Sequence, residues 1–323
     1  MTTNQNCANS DLVIRFGTSS APILLGDDLW AGYVTYLGDV EARRARMEPG
    51  IAALADPNFP LEGVTTRDYS TDTSDGQNPA SLVFCGPQAS MPRGDLRPWW
   101  GHDLGQLVAY VARTRVPFLA VDYRLAPEHP HPIPVNDIYA ALHWLVTHSQ
   151  ELGVDGSRIG IMDDSAGGGL AVATALLARQ DNGPRLAKLI LLCPMLDDPT
   201  VSADEHLARF LCWNTSDNET GWPALLGCSR GREMVPEIAT PARMADATCM
   251  PPLYIEVGEL DLFRNESIEL TTKFYKSGIS AELRVFPGCP HGFDILPGRG
   301  SGVSRRAIEN RDRAIKTIDR VDS

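Results

Sequence analysis

Short apolar runs alternate with longer amphipathic segments along the chain from about residue 80 onwards. Each apolar run has the length of a buried strand, and the segments between them space their apolar residues as helices do. Strands that alternate with helices are typical of a mostly parallel sheet with crossover helices. The pattern therefore predicts an α/β fold with a doubly wound sheet. The predicted strands are 80–85, 116–122, 158–162, 186–193, 253–258 and 281–286, and the predicted helices are 101–114, 137–149, 166–179, 264–277 and 303–321.

Two segments do not follow this alternation. The first 60 residues show only helical pieces at 27–37 and 39–54, and the interval 196–250 is rich in Trp, Pro and Gly. A long insertion in a compact domain is usually functional and is often a lid. We interpret both segments as a helical cap, with an N-terminal arm packed on the side of the core as the alternative for the first. The predicted division is an N-terminal part of the cap over 1–60, a core over 61–195 and 251–323, and a cap insertion over 196–250.

Composition and charge narrow the class of protein. The hydrophobic content of 43% and the charged content of 22% are ordinary for a globular chain of 323 residues. A net charge of −12 argues against nucleic acid or an anionic membrane as a partner. The seven cysteines are scattered, which favours reduced thiols over a disulfide framework or a zinc site. With no signal-like N-terminus and no run long enough to span a bilayer, we expect a cytoplasmic protein.

Ser165 is the candidate nucleophile. It lies in Ile159-Gly-Ile-Met-Asp-Asp-Ser165-Ala-Gly-Gly-Gly169, between a predicted strand and a predicted helix. This is the nucleophile-elbow pattern Gly-x-Ser-x-Gly, except that Asp163 stands at the first glycine position. Such a turn exposes the hydroxyl at the edge of the sheet and directs the N-terminus of the helix at developing negative charge. A serine hydroxyl needs a base, and the base needs a carboxylate that orients it, in the chain order Ser, Asp or Glu, His.

His291 and Asp261 occupy the positions expected for that base and carboxylate. Of the seven histidines, His291 lies on the loop after the last predicted strand, and Asp261 follows the preceding strand. Each residue alone has a simpler explanation, as a helix cap, an Asx-turn or a solvated loop side chain. Their order, with each residue just past a different strand, favours a catalytic triad of Ser165, Asp261 and His291.

The chain resembles the hormone-sensitive-lipase family of α/β-hydrolases over most of residues 80–295. The resemblance rests on Val121-Asp-Tyr-Arg-Leu-Ala-Pro-Glu128-His-Pro, Asp164-Ser-Ala-Gly-Gly168, Pro194-Met-Leu-Asp, Gly258-x-x-Asp261-x-Phe-Arg and His291-Gly-Phe. It implies a carboxylesterase for short or medium acyl chains with a two-part cap. It also implies that Ser165 attacks the ester, His291 transfers the proton, Asp261 orients His291, and water releases the acyl group.

The segment expected to form the oxyanion hole departs from the family. The family has His-Gly-Gly-Gly after an early strand, whereas this chain reads Leu82-Val-Phe-Cys-Gly86-Pro-Gln-Ala-Ser-Met91. The expected donors are the N–H groups of Ala166 and Gly86. Pro87 has no N–H, and a register that uses residues 88–90 is the alternative. Loss of one oxyanion donor costs about 10²–10³ in kcat.

Asp163 is the second departure. A carboxylate two residues before the nucleophile must tilt outward or find local hydrogen bonds, because unpaired burial would cost several kcal/mol. Its negative charge also has the wrong sign for stabilising an oxyanion.

Three functions remain open from the sequence. The first is a serine hydrolase that acts on a small carboxylic ester or lactone. The second is a lyase or cyclase in specialised metabolism that uses His291 as a base without acylating Ser165, and the third is a catalytically impaired ligand-binding protein. The expected partners are a small-molecule substrate and a possible second copy of the chain, without nucleic acid, membrane, cofactor or metal, because no cluster has metal-ligand spacing in the sequence. The candidate pocket residues, for which simple packing is the alternative, are Trp99, Trp100, Phe210, Trp213 and Trp222.

Overall fold

The structure is a computed structural model. It describes residues 12–16, 40–41, 64–73, 75–76, 80–86, 101–199, 207–227, 235–294 and 301–318. The predicted helical pieces at 27–37 and 39–54 lie outside the described residues, apart from a helical pair at 40–41.

The described residues form one sheet of eight strands. The strands are β1 (Leu12–Phe16), β2 (Thr65–Thr71), β3 (Ala80–Gly86), β4 (Phe118–Asp122), β5 (Ile159–Asp164), β6 (Lys188–Leu192), β7 (Leu253–Gly258) and β8 (Ala281–Phe286). Their order across the sheet is β2-β3-β4-β1-β5-β6-β7-β8. The pairs β2–β3 and β3–β4 are antiparallel and the other pairs are parallel.

Helices cover both faces of this sheet. They are α1 (Gly101–Thr114), α2 (Ile133–Leu152), α3 (Ser165–Gln180), α4 (Thr215–Leu226), α5 (Arg264–Lys276) and α6 (Gly302–Lys316). Side chains of α2, α3 and α5 pack in one buried cluster on one face. Side chains of α1 and the end of α6 pack in a second cluster on the other face. Strands buried on both faces read as continuous apolar runs, which explains why the sequence pattern predicted this α/β fold.

Strand β1 corrects the expected division of the chain. It lies between β4 and β5 and runs parallel to both, with Ile14 beside Leu119 on one side and Ile161 on the other. Residues 12–16 were expected in the N-terminal part of the cap, but they form the middle of the sheet. Their sequence, Leu-Val-Ile-Arg-Phe, has the β-branched and apolar residues that such a strand requires.

The interval expected to form the cap insertion is also divided. Helix α4 begins after Asn214, whose side chain accepts hydrogen bonds from the N–H groups of Ser216 and Asp217 in a capping box. Further along, Met244, Ala247 and Met250 are buried in the core cluster on the α2 and α3 face. The described residues after 240 therefore belong to the core, and α4 is the described helix of the interval that was expected to form the cap. Within the described residues, no helix is both long enough and apolar enough to cross a bilayer.

Candidate active site

Ser165 lies at a sharp turn between β5 and α3. Its φ of 49° is in the left-handed region, which a non-glycine residue adopts rarely and mainly at functional turns. The glycines after it are required by close packing: a Cβ on Gly168 would lie 2.7 Å from the Cβ of Pro194, and one on Gly169 would lie 2.3 Å from the carbonyl oxygen of Met195. The N–H of Met195 donates to the Ser165 carbonyl at 2.8 Å. The loop after β6 thus holds the serine turn in place.

The structure brings the three predicted catalytic side chains together. His291 Nε2 lies 3.1 Å from Ser165 Oγ, and His291 Nδ1 lies 2.8 Å from Asp261 Oδ2. All three residues are buried, with exposed fractions of 8% for Ser165, 5% for His291 and 0% for Asp261. This is the geometry in which an imidazole accepts a hydroxyl proton while a carboxylate fixes its tautomer.

The carboxylate and the imidazole are each held by their neighbours. Asp261 Oδ1 accepts the N–H of Phe263 at 2.9 Å, which leaves Oδ2 for His291. The ring of Phe263 stands edge-on to the imidazole, with the two centroids 5.2 Å apart. Gly258, at the end of β7, allows the histidine loop to approach, because a Cβ there would lie 2.2 Å from the carbonyl oxygen of Cys289.

Burial and charge act in opposite directions on the pKa of His291. Burial lowers the pKa of the imidazole, but the adjacent Asp261 carboxylate stabilises the protonated form and prevails. The pKa of His291 is therefore raised above its ordinary value.

Cys193 is a member of this site that the sequence analysis missed. It follows β6, and its Sγ lies within 4.8 Å of a ring nitrogen of His291. Burial raises the pKa of its thiol, so the protonated form is the stable one at neutral pH. Ligand atoms of Cys193, Asp261 and His291 all lie within 4.8 Å of one another. The expectation of no metal-ligand cluster rested on spacing along the chain, whereas these residues come together only because they follow adjacent strands.

Asp163 is buried and hydrogen-bonded locally. Its side chain is 0% exposed, and Oδ1 accepts the N–H of Asp164 at 2.8 Å. It lies just before α3, where the positive end of the helix dipole favours a carboxylate and offsets part of the cost of burial. Of the two arrangements considered from the sequence, local hydrogen bonding is the one present.

The strand directions correct the expectation for Gly86. Because β3 is antiparallel to β4, with Cys85 beside Phe118, Gly86 lies at the edge where the parallel strands begin. Ser165 follows the end of β5, about six residues further along the strand direction, or about 20 Å away. An N–H at Gly86 cannot reach an oxyanion at Ser165.

The other oxyanion candidates have different positions. Ala166 is the second residue of α3, in the first turn, where backbone N–H groups have no partner within the helix. The alternative register at residues 88–90 lies outside the described residues.

Only some of the candidate pocket residues lie near the site. Trp222 is buried in a cluster with Met195, Leu262 and Phe263, and Trp213 packs against this cluster. Helix α4 therefore rests on the loop that follows Asp261. Phe210 is 39% exposed, with the Arg209 guanidinium 4.6 Å from its ring centroid. Trp99 and Trp100 lie outside the described residues.

A buried ion-pair network supports the histidine loop from α6. Arg311 Nε donates to Glu256 Oε1 at 2.7 Å, and Arg311 also pairs with Asp294, three residues after His291. Tyr254 donates its hydroxyl proton to Glu256 Oε2 at 2.6 Å. Arg311 thus joins the strand that leads to Asp261 with the loop that follows His291. The sequence gives little sign of this network, since its charged members are far apart along the chain.

The Tyr-Arg-Leu-Ala-Pro-Glu run has a structural use in the described fold. The Arg124 guanidinium pairs with Asp137 at 2.6 Å and with Asp75 at 2.8 Å. These ion pairs link the loop after β4 to α2 and to the turn after β2, so Arg124 stabilises the position of this loop.

Comparison with known proteins identifies relatives over most of the chain. Carboxylesterase NlhH of Mycobacterium tuberculosis is 34% identical over 203 residues, covering 59% of this chain and 63% of NlhH. Esterase LipI of the same organism is 28% identical over 268 residues, covering 78% of this chain and 79% of LipI. The chain thus spans less than two thirds of the length of NlhH.

Solved structures agree in fold. A bacterial heroin esterase superposes with a TM-score of 0.79 at 31% identity, covering 88% of this chain and 93% of that chain. An esterase of Pyrobaculum calidifontis, at 21% identity, shares the fold with a TM-score of 0.74. The sequence model of a protein family with the alpha/beta hydrolase fold matches residues 102–295 of this chain. That range includes Ser165, Asp261 and His291. The chain belongs to this alpha/beta hydrolase family, among the carboxylesterase-like members related to hormone-sensitive lipase.

Proposed function

We propose that the protein is a carboxylic ester hydrolase with Ser165 as nucleophile, His291 as general base and acid, and Asp261 as the residue that orients His291. The observation that supports this proposal most directly is the pair of hydrogen bonds through His291, at 3.1 Å to Ser165 Oγ and 2.8 Å to Asp261 Oδ2. The relatives named esterase and carboxylesterase support the same class of reaction.

The reaction proceeds in two steps. His291 Nε2 takes the Ser165 proton as Oγ attacks the ester carbonyl, and the resulting oxyanion faces the first turn of α3, where the Ala166 N–H is available. His291 then protonates the leaving alcohol and an acyl-serine remains. Water, deprotonated by His291, attacks the acyl carbon, and the return of the proton to Ser165 releases the acid.

The proposed substrate is a small, fairly apolar ester or lactone. The support for this choice is the apolar cluster that α4 and Trp213, which precedes α4, form beside the Asp261 loop. Trp213 and Trp222 pack there with Leu262 and Phe263, and Phe263 contacts the imidazole of His291. Trp222, Leu262 and Phe263 are buried, whereas Trp213 is only partly buried. An apolar side chain left partly open beside the reacting atoms favours an apolar acyl or alcohol group.

The test is covalent labelling with a fluorophosphonate probe, followed by turnover of p-nitrophenyl esters and lactones of increasing chain length. We expect rapid labelling of the unmodified protein, and loss of labelling and turnover in Ser165→Ala and His291→Ala. Ser149→Ala, which alters a serine on α2 that bonds to Val146, is the matched control and should label normally.

Two outcomes would contradict the proposal. Turnover that survives Ser165→Ala but not His291→Ala would indicate elimination or cyclisation with His291 as the base. A folded protein that binds ligands but neither labels nor turns over any ester would indicate a binding protein.

A further inference from the structure

Cys193 lies beside His291 but has no part in the proposed hydrolysis. It follows β6, between the strand that ends at Ser165 and the strand that leads to Asp261. Its backbone φ of 39° is in the left-handed region, so the turn that places the thiol beside His291 is an unusual one for a non-glycine residue. A thiol, an imidazole and a carboxylate whose ligand atoms lie within 4.8 Å of one another are a set of groups that can bind a metal ion.

We propose that Cys193, His291 and Asp261 form a binding site for a soft divalent cation such as Zn²⁺ or Cd²⁺, and that the bound ion inhibits the enzyme. The binding half of this proposal stands on the geometry alone, while the inhibition half rests on the proposed function.

The donor set fits a soft cation better than a hard one. Thiolate sulfur, imidazole nitrogen and carboxylate oxygen are the three ligand types that bind Zn²⁺ in proteins, and three protein ligands leave a fourth position for water. Mg²⁺ prefers near-octahedral oxygen ligands, which this cluster does not offer.

The distances fit after a small movement. Metal–ligand bonds of about 2.0–2.3 Å in a tetrahedron place neighbouring ligand atoms about 3.3–3.8 Å apart. The three ligand atoms already lie within 4.8 Å of one another. On binding, the sulfur would move in by up to about 1 Å, and the His291 Nδ1–Asp261 Oδ2 pair, now 2.8 Å apart, would open by about 0.5–1 Å. Both movements are within reach of side-chain torsions.

Binding is an acid–base step with no change of oxidation state. The Cys193 thiol releases its proton to solvent and its sulfur bonds to the ion, while a ring nitrogen of His291 and a carboxylate oxygen of Asp261 each donate a lone pair. The charge of the cation compensates for the burial that otherwise disfavours the thiolate. An imidazole bound to the ion no longer accepts the Ser165 proton in the required orientation, so the first step of hydrolysis is blocked.

The binding test uses CdCl₂ with the full-length protein, by native mass spectrometry and by the ultraviolet absorption of the cadmium–thiolate bond. We expect one ion per chain at this site, lost in Cys193→Ser and kept in two control variants. Cys212→Ser alters a thiol that is near enough to His291 to feel its charge but lies outside the three-residue cluster, and Cys249→Ser alters an exposed thiol. Ser165→Ala should keep the ion, since Ser165 is not a ligand.

The inhibition test compares the Cd²⁺ and Zn²⁺ concentrations that halve ester hydrolysis, with each variant normalised to its own metal-free rate. We expect Cys193→Ser to raise this concentration by about tenfold or more, since loss of even an outer partner of a metal site costs about 10–100-fold in affinity. EDTA should restore activity, and MgCl₂ should have no effect.

Cadmium binding to Cys193→Ser with unchanged stoichiometry and absorption would overturn the binding proposal. Stoichiometric binding at Cys193 without any loss of a demonstrated esterase activity would overturn the inhibition. If the protein hydrolyses no ester at all, the proposed function fails, but the binding measurement still decides the site.

Discussion

The neutral form of His291 is the one that can accept the Ser165 proton, so the pH range of activity follows from its pKa. Asp261 raises that pKa, which means that His291 stays protonated, and unable to act as a base, to a higher pH than an ordinary histidine. Activity is therefore complete above the raised pKa and is lost as the pH falls through it. We expect the acid limb of kcat/KM to lie above about pH 6.5, the ordinary value for histidine.

Asp261→Asn should lower kcat and should shift the acid limb of the pH profile to lower pH. Without the negative charge the pKa of His291 falls, so the acid limb moves to lower pH. The equivalent change in a serine protease lowers kcat by about 10⁴, because the imidazole takes the wrong tautomer. A profile of kcat/KM between pH 5 and pH 9 measures both effects. Glu259→Gln, which keeps an acceptor for the Gly288 N–H, is the control, and an acid limb that does not move in Asp261→Asn would contradict the assignment.

Asp163→Asn tests the effect of a carboxylate placed just before the nucleophile. The amide oxygen can still accept the Asp164 N–H, while the charge that opposes an oxyanion is removed. We expect kcat for a small ester to rise by about threefold to tenfold, equal to roughly 1 kcal/mol of transition-state stabilisation. A melting temperature within a few degrees of the unmodified protein would show that the fold is kept. An unchanged or lower kcat in a stable variant would mean that the charge of Asp163 does not act on the reaction.

For single residues, the sequence predicted the three members of the proposed triad but not Cys193, which lies beside them. Ser165, Asp261 and His291 could be predicted because each follows an apolar run, and the carboxyl ends of parallel strands meet at one edge. Cys193 is the last residue of such a run, yet nothing in its local sequence distinguishes it from other cysteines. Its position near His291 depends on how the turns after β6 and β8 approach each other, which strand patterns do not encode.

Among the elements, the junction between α3 and the loop after β6 positions the nucleophile. The substitution Gly169→Ala distinguishes the effect of packing on stability from the effect of helix propensity, because the two effects have opposite signs at this position. Propensity alone would make alanine about 1 kcal/mol more favourable inside a helix. The added Cβ would instead lie 2.3 Å from the Met195 carbonyl oxygen, which must move, so we expect a loss of about 1–3 kcal/mol of unfolding free energy. Urea denaturation measures the loss, and slower fluorophosphonate labelling should accompany it.

Gly156→Ala is the matched control for this change. A Cβ there would lie 3.2 Å from the Ser149 hydroxyl, a side chain that can rotate away. Its unfolding free energy should stay close to that of the unmodified protein. A stabilised Gly169→Ala would show that the loop after β6 yields easily and does not fix the elbow.

The predictions for β1 and for Gly86 were wrong for identifiable reasons. Strand β1 was missed because a single apolar run, separated by about 50 residues from β2, forms no alternation. Gly86 was assigned to the oxyanion hole because an apolar run does not reveal its direction, and β3 runs antiparallel to its neighbour β4. Strands β7 and β8 were predicted with their observed bounds, since both are flanked by clear turn residues.

Across the whole molecule, Arg311 joins the C-terminal helix to the sheet and to the histidine loop. Arg311 and Glu256 are 3% and 1% exposed, so removing the guanidinium leaves a buried carboxylate without its cation. We expect Arg311→Met to lower the free energy of unfolding by about 3–5 kcal/mol. Chemical denaturation, followed by circular dichroism, measures this change.

Arg113→Ala provides the comparison, because it breaks an ion pair between α1 and the same helix α6 at the surface. The Arg113 side chain is 38% exposed and lies 2.7 Å from Asp312. Its loss should change stability by only about 0–1 kcal/mol. Equal effects of the two substitutions would show that burial does not decide the contribution of these pairs.

The central position of β1 has a consequence for the order in which the molecule assembles. Residues 12–16 leave the ribosome before either neighbouring strand, yet they pair with partners more than 100 residues further along the chain. Such distant pairing makes folding slow, because a long loop must close before the contact is gained. Until β1 inserts, β4 and β5 expose unpaired edges in the middle of the nascent sheet, where another chain could add a strand. The same insertion that completes the sheet beside the nucleophile therefore also protects the newly made protein from aggregation.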